Sequence, residues 1–151
     1  MSNALILVDL QNDFLPSGAL AVPHGDQVIP IANRLQPFFH LVVATKDWHP
    51  ANHGSFASHH AGRRPGEMIE LAGMPQVLWP DHCVQNSYGA ELNSQLNTRS
   101  IARVFHKGTE RDRDSYSGFF NNGGTHETGL GTYLRQRKVT DTYILGLATD
   151  Y

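Results

Sequence analysis

Cysteine is almost absent from this 151-residue chain: Cys83 stands alone, so no intrachain disulfide can form. That suits a reducing compartment, and cytoplasmic localisation is the expectation. An excess of charge of either sign is missing too. Lys plus Arg number 12 against 14 Asp plus Glu, a formal net charge of −2, and no basic run stands out. This balance argues against nucleic acid or an anionic membrane surface as a main partner. No apolar run approaches the ~20 residues that a membrane helix needs. The opening MSNALILVDL lacks a basic n-region and is interrupted at Asp9, so it does not read as a signal peptide.

The hydrophobic share of 40% is enough for one domain with a sizeable core, taken as residues 1–151. Four short runs rich in Val, Ile, Leu and aromatics have strand length: Ala4–Val8, Leu41–Ala44, Ile101–Phe105 and Tyr143–Leu147. Between them, 27–39 shows a helical period, with Pro30 suited to a first turn and Pro37 only to the end. Tyr88–Leu96 is a shorter helix candidate, and Glu127–Lys138 another, with basic residues in its last turn. Alternation of strand and helix predicts an α/β fold built on an open, mainly parallel sheet with helices on both faces. The segment Lys46–Asn86 reads as mostly irregular, and an irregular stretch that long is usually functional.

Polar residues close the strands. Asp9 follows ALILV, Lys46-Asp47 follow LVVAT, Lys107 follows IARVFH, and Thr149-Asp150 follow YILGLA. Ligands of an open parallel sheet bind beyond the carboxyl ends of its strands, so these positions are expected to converge. Histidine is unusually frequent, with 9 against 12 Lys plus Arg, and six of the 9 lie from His40 to His82. In DWHPANH, Asp47 and His49 are two apart and point the same way in an extended segment. WPDHC adds His82 from a separate loop. Three such ligands leave open positions, the pattern of a working metal site, and the O and N donors suit zinc, iron(II) or manganese. His53 is a further candidate, and a solvated histidine loop is the alternative. Asp9 and Lys107 read either as an ion pair or as a pair that activates a thiol. Cys83 lies in a loop beside a candidate ligand and reads as a bystander.

LILVDLQNDF, ATKDWHPANHGSF, LWPDHCVQNSYGAEL, FHKGTERDRDSYSGF and GLATDY together closely resemble the nicotinamidases (pyrazinamidases) of the isochorismatase-like cysteine hydrolases. The resemblance runs through nearly the whole chain, with five motifs in order. It implies hydrolysis of nicotinamide to nicotinate and ammonia through a cysteine thioester, in pyridine nucleotide biosynthesis and NAD salvage. It also implies an Asp–Lys–Cys triad, of which Asp9 and Lys107 match the first two. The family's nucleophilic cysteine directly follows the G-x-A-T-D-Y motif, so it is expected after Tyr151. Either the chain is a fragment lacking the C-terminal part of the domain, or that cysteine is chemically modified; the latter is the expectation. The resemblance further implies Phe14, Trp79 and Tyr116 around the substrate ring, and Asp47, His49 and His82 on one divalent ion, zinc first. The N–H of Ala148 would face an oxyanion, and the Leu147–Ala148 peptide would be cis. A homo-oligomer is allowed. The rivals are a related amidase acting on another small amide and a non-catalytic metal-binding module.

Overall fold

The computed structural model describes residues 2–151. Four parallel strands form the central sheet: β1 (Asn3–Val8), β2 (Leu41–Asp47), β5 (Ile101–Lys107) and β6 (Asp141–Gly146), in the order β5-β2-β1-β6. All four strands predicted from the apolar runs are present. β1 is interior and reads as an unbroken apolar run because both of its faces are covered. Leu5 and Leu7 pack on one side with Ile29 and Ala32 of α1 (Val28–Leu35). Ala4 and Ile6 pack on the other with Leu130, Tyr133 and Leu134 of α2 (Leu130–Gln136). Helices on opposite faces are what the sequence pattern implied.

The helix boundaries are narrower than predicted. Pro30 lies in the first turn of α1, where its missing N–H has no helical partner to lose. Pro37 falls in a single 3₁₀ turn, Gln36–Phe38, that ends the segment. α2 starts only at Leu130, after Gly129 at φ 87° and a bond from Leu130 N–H to Thr128 Oγ1 at 3.2 Å.

One expectation fails. Tyr88–Leu96 is not a helix beyond one 3₁₀ turn, Tyr88–Ala90. Its carbonyls are claimed by the segment after β1: Asn12 Nδ2 donates to Tyr88 O at 2.9 Å and Gln11 Nε2 to Ala90 O at 2.9 Å. Those tertiary bonds replace the helical ones. The stretch Lys46–Asn86 is mostly irregular, as expected, but it also carries β3 (Met68–Leu71) and β4 (Met74–Val77), which pair as an antiparallel hairpin. Its strands are only 4 residues each, too short for a clear alternation.

No helix among the described residues is long and apolar enough to cross a membrane. The packing makes a direct forecast for stability. Leu7 is fully buried in β1, whereas Phe38 is 74% exposed. Leu7→Ala is expected to cost about 2–5 kcal/mol in urea unfolding. Phe38→Ala is expected to stay within about 0.5 kcal/mol of the parent.

Candidate active site

The carboxyl ends of the strands meet as the topology required. The β2–β5 register sets Asp47 directly opposite Lys107, and Asp9 follows β1 on the other side of β2. Lys107 Nζ lies 2.9 Å from Asp9 Oδ2 and makes a short bond to Asp47 Oδ1. It also donates to Ser115 O at 3.1 Å. Thr45 Oγ1, from the same strand as Asp47, donates to Asp9 Oδ1 at 2.6 Å. All three charged groups are buried.

That arrangement sets their protonation. Burial works against the Lys107 cation, but Asp47 and Asp9 outweigh it and raise its pKa above the ordinary value. Burial would raise Asp47; Lys107 and then His49 reverse this and hold it well below the ordinary range. Asp9 goes the other way. Burial, reinforced by the Asp47 charge, lifts its carboxyl above the usual value even against Lys107. Two carboxylates sharing one ammonium thus differ: one is firmly ionised, the other is drawn toward taking a proton.

Asp47 uses its two oxygens separately. Oδ1 faces Lys107, while Oδ2 lies 3.7 Å from both His49 Nε2 and His82 Nε2. That distance is too long for a hydrogen bond. It is close to the spacing of donors around one ion: two atoms each about 2.1 Å from a tetrahedral zinc stand about 3.4 Å apart. The imidazoles are oriented for this. His49 Nδ1 is 2.8 Å from Gly108 O and His82 Nδ1 is 2.7 Å from Pro80 O. Each Nδ1 therefore carries the hydrogen and each Nε2 keeps its lone pair. His49 Nε2 is buried with no hydrogen-bond partner. Burial would depress the His49 pKa, yet the Asp47 carboxylate raises it, so the site calls for positive charge at Nε2. Asp47, His49 and His82 fit a divalent cation on donor chemistry, orientation and spacing.

Local structure brings the third candidate ligand in. Beyond β2 the chain stays extended and bridges the 82–85 loop: His49 N–H donates to Cys83 O at 3.0 Å, and Gln85 N–H to His49 O at 2.8 Å. His82 is thereby held beside Asp47. His53 is not part of this set. Its Nδ1 meets Ser55 Oγ at 2.7 Å and its Nε2 meets Arg113 O at 3.2 Å. Burial and the adjacent His49 lower its pKa to about 4, so it is neutral. His49, His53 and Asp114 form a second close group, but both His53 nitrogens are engaged.

Cys83 is fully buried, and burial followed by the charge of Asp47 pushes its thiol pKa strongly upward. It stays a thiol, which agrees with the bystander reading. A cavity of about 470 Å³ opens over the cluster and is lined by Asp9, Asp47, His82, Lys107, Phe14, Trp79, Tyr116 and Ala148. Phe14 meets the His82 ring edge-on at 5.7 Å. Tyr151, which the sequence did not single out, packs against Trp79 and Tyr116 at 5.3 and 5.7 Å. Gln11 was also missed. Its amide donates to Asp47 O at 2.7 Å and accepts from Asp47 N–H at 2.8 Å, clamping the backbone of a candidate ligand residue. The Leu147–Ala148 peptide is not cis; no cis bond occurs among the described residues. The turn out of β6 is made instead by Ala148 in the left-handed region, φ 48°. Asp9 and Cys83 share that conformation at φ 51° and 46°. Two of these non-glycine residues, Asp9 and Ala148, line the cavity, so its wall holds backbone in a costly state.

The isochorismatase domain matches residues 3–151. The nicotinamidase of Escherichia coli is 54% identical over 152 residues, covering 98% of this chain and 71% of that protein. The structure of a nicotinamidase–pyrazinamidase of Acinetobacter baumannii superposes with a TM-score of 0.95 at 46% identity, covering 99% of this chain and 72% of the other. A pyrazinamidase of Pyrococcus horikoshii in complex with zinc superposes at 0.75 with 39% identity, covering 100% and 73%.

Gly108 connects this geometry to a test. It sits at φ 62°, and a Cβ there would fall 2.4 Å from His49 Cε1. Gly108→Ala is expected to displace the His49 ring and weaken divalent-metal binding by at least about tenfold in a chelator competition. Gly131→Ala, whose added carbon meets nothing closer than 3.4 Å, serves as the control and should bind normally.

Proposed function

The chain belongs to the isochorismatase-domain family, and from that premise we propose that it hydrolyses nicotinamide to nicotinate and ammonia, with pyrazinamide as a ring analogue. The observation that carries the reading is Lys107, which ties a proton-accepting carboxylate, Asp9, to a carboxylate aimed at a cation, Asp47, on the floor of an aromatic cavity. A thiol hydrolase of a pyridine amide can use both, a base for the thiol and a cation for the ring nitrogen.

Asp47, His49 and His82 would hold the divalent ion, zinc in the first instance as in the Pyrococcus horikoshii relative. A zinc ion, where bound, supplies a Lewis-acid position suited to a pyridine nitrogen. Phe14, Trp79 and Tyr116 would enclose the ring. The nucleophile is the thiol that the family motif puts directly after Tyr151. In the first step its sulfur bonds to the amide carbon, and its proton passes to Asp9, whose raised proton affinity suits a general base. Lys107 favours the thiolate by its charge. The carbonyl oxygen becomes anionic and is met by the N–H of Ala148 and of the residue after Tyr151. The C–N bond then breaks, and ammonia leaves with the proton from Asp9. In the second step water attacks the thioester. Asp9 takes the water proton and returns it to the departing thiol, and nicotinate is released. Nicotinate as product would suit a role in pyridine nucleotide salvage.

The test uses the full-length protein. The parent should release ammonia from nicotinamide. Asp9→Asn should lower kcat by about 100-fold or more while bound zinc per chain is unchanged, because Asp9 handles protons and is not a ligand. A nicotinaldehyde should label the residue after Tyr151 and leave Cys83 free. An active Asp9→Asn enzyme, or labelling at Cys83, would overturn the assignment.

A further inference from the structure

The hairpin contributes a side chain that the chemistry above does not use. Gln76 of β4 is buried, and its Nε2 lies 2.8 Å from Val77 O, 3.2 Å from Asp114 Oδ2 and 3.0 Å from Tyr116 Oη. A carbonyl and a carboxylate only accept, so the amide nitrogen of Gln76 must face them and its oxygen must face away. The same nitrogen then meets Tyr116 as a donor. Trp79 Nε1, 3.2 Å from the same phenolic oxygen, is likewise a donor with no lone pair to offer. The two hydrogens of the Gln76 amide are shared among three acceptors, so its attraction for Tyr116 is modest. Its constraint is firm, however, because neither neighbour of Tyr116 Oη can take the phenol hydrogen.

That hydrogen must go elsewhere, and Tyr116 borders the cavity. Burial, followed by the Asp114 charge, raises the Tyr116 pKa above its ordinary value, so the phenol keeps its proton. We infer that Gln76 and Trp79 orient the Tyr116 hydroxyl as a hydrogen-bond donor into the cavity, toward an acceptor atom of a bound aromatic carboxamide or its carboxylate product. Tyr116 is then more than a ring wall. Its hydroxyl favours ligands that carry an acceptor, and Gln76 is a positioning residue acting through it. Hydrophobic contact alone would accept any flat ring of the right size. A fixed donor does not, since a ligand without an acceptor leaves a phenol proton unpaired in a half-dry site. The identity of the ligand rests on the nicotinamidase reading; the orientation of the hydroxyl rests on the hydrogen-bond geometry alone.

Two conservative variants test it in the full-length, zinc-loaded enzyme. Tyr116→Phe keeps the ring and removes the donor. KM for nicotinamide should rise about three- to tenfold with kcat within about twofold, and the nicotinate Kd should rise in parallel. Gln76→Met keeps the volume and should raise KM by less, and it should add nothing in the Tyr116→Phe background. A substrate-free readout is the Trp79 indole N–H signal. It should shift, and exchange faster with solvent, in Tyr116→Phe. Unchanged KM and nicotinate Kd in Tyr116→Phe would overturn the donor role, and additive effects of the two variants would overturn the positioning role of Gln76. A parent enzyme that does not turn over nicotinamide would overturn the functional reading instead. An unmoved indole signal in Tyr116→Phe would overturn the network itself.

Discussion

Lys107 is the group on which the rest of the site depends. It is one buried cation with two buried carboxylates bonded to it, and each of the three comes from or directly follows a different strand. An unpaired charge at that depth costs several kcal/mol, so removing Lys107 would leave two buried carboxylates without their counter-ion. The cluster therefore constrains the sheet as much as the sheet positions the cluster. A one-residue slip between β2 and β5 would carry Asp47 away from Lys107 and turn its carboxylate to the opposite face. Catalytic geometry and strand register are the same fact here.

The asymmetry of the cluster gives it chemical use. Asp47 commits one oxygen to Lys107 and turns the other toward two imidazoles whose far nitrogens are pinned by Gly108 O and Pro80 O. Asp9 has no second cation and sits deeper in the balance toward protonation. Two identical side chains thus divide into a candidate metal ligand and a candidate proton carrier through their surroundings alone. Much of this is secured by backbone. Gln11 clamps the Asp47 peptide from both sides, and the absence of a side chain at Gly108 leaves the space that the His49 ring fills.

The hairpin was not visible in the sequence, and it bears on the cavity. Gln76 reaches from it to Asp114 and Tyr116, which lie about 40 positions further along the chain. No local pattern announces a contact across that separation. The predicted helix over Tyr88–Leu96 failed for a related reason: Asn12 and Gln11, remote in sequence, take the carbonyls that a helix would have used. Local propensity is a weak prior, and tertiary hydrogen bonds of this kind override it.

The sequence by itself determined the four parallel strands, the two covering helices and the convergence of Asp9, Asp47 and Lys107, because apolar runs and strand-end polar residues are local patterns that topology carries to one place. It also supplied DWH and WPDHC as a donor set. Only the tertiary structure decided which donors face one another. His53 lies beside His49 in the fold, yet Ser55 and Arg113 occupy both of its nitrogens. Cys83 adjoins a candidate ligand in sequence, yet burial and negative neighbours keep it a thiol. Tyr151 joins the aromatic wall, and Tyr116 meets two donors at its oxygen. Those outcomes depend on distance, direction and burial among residues far apart in the chain, and such quantities exist only once the chain is folded.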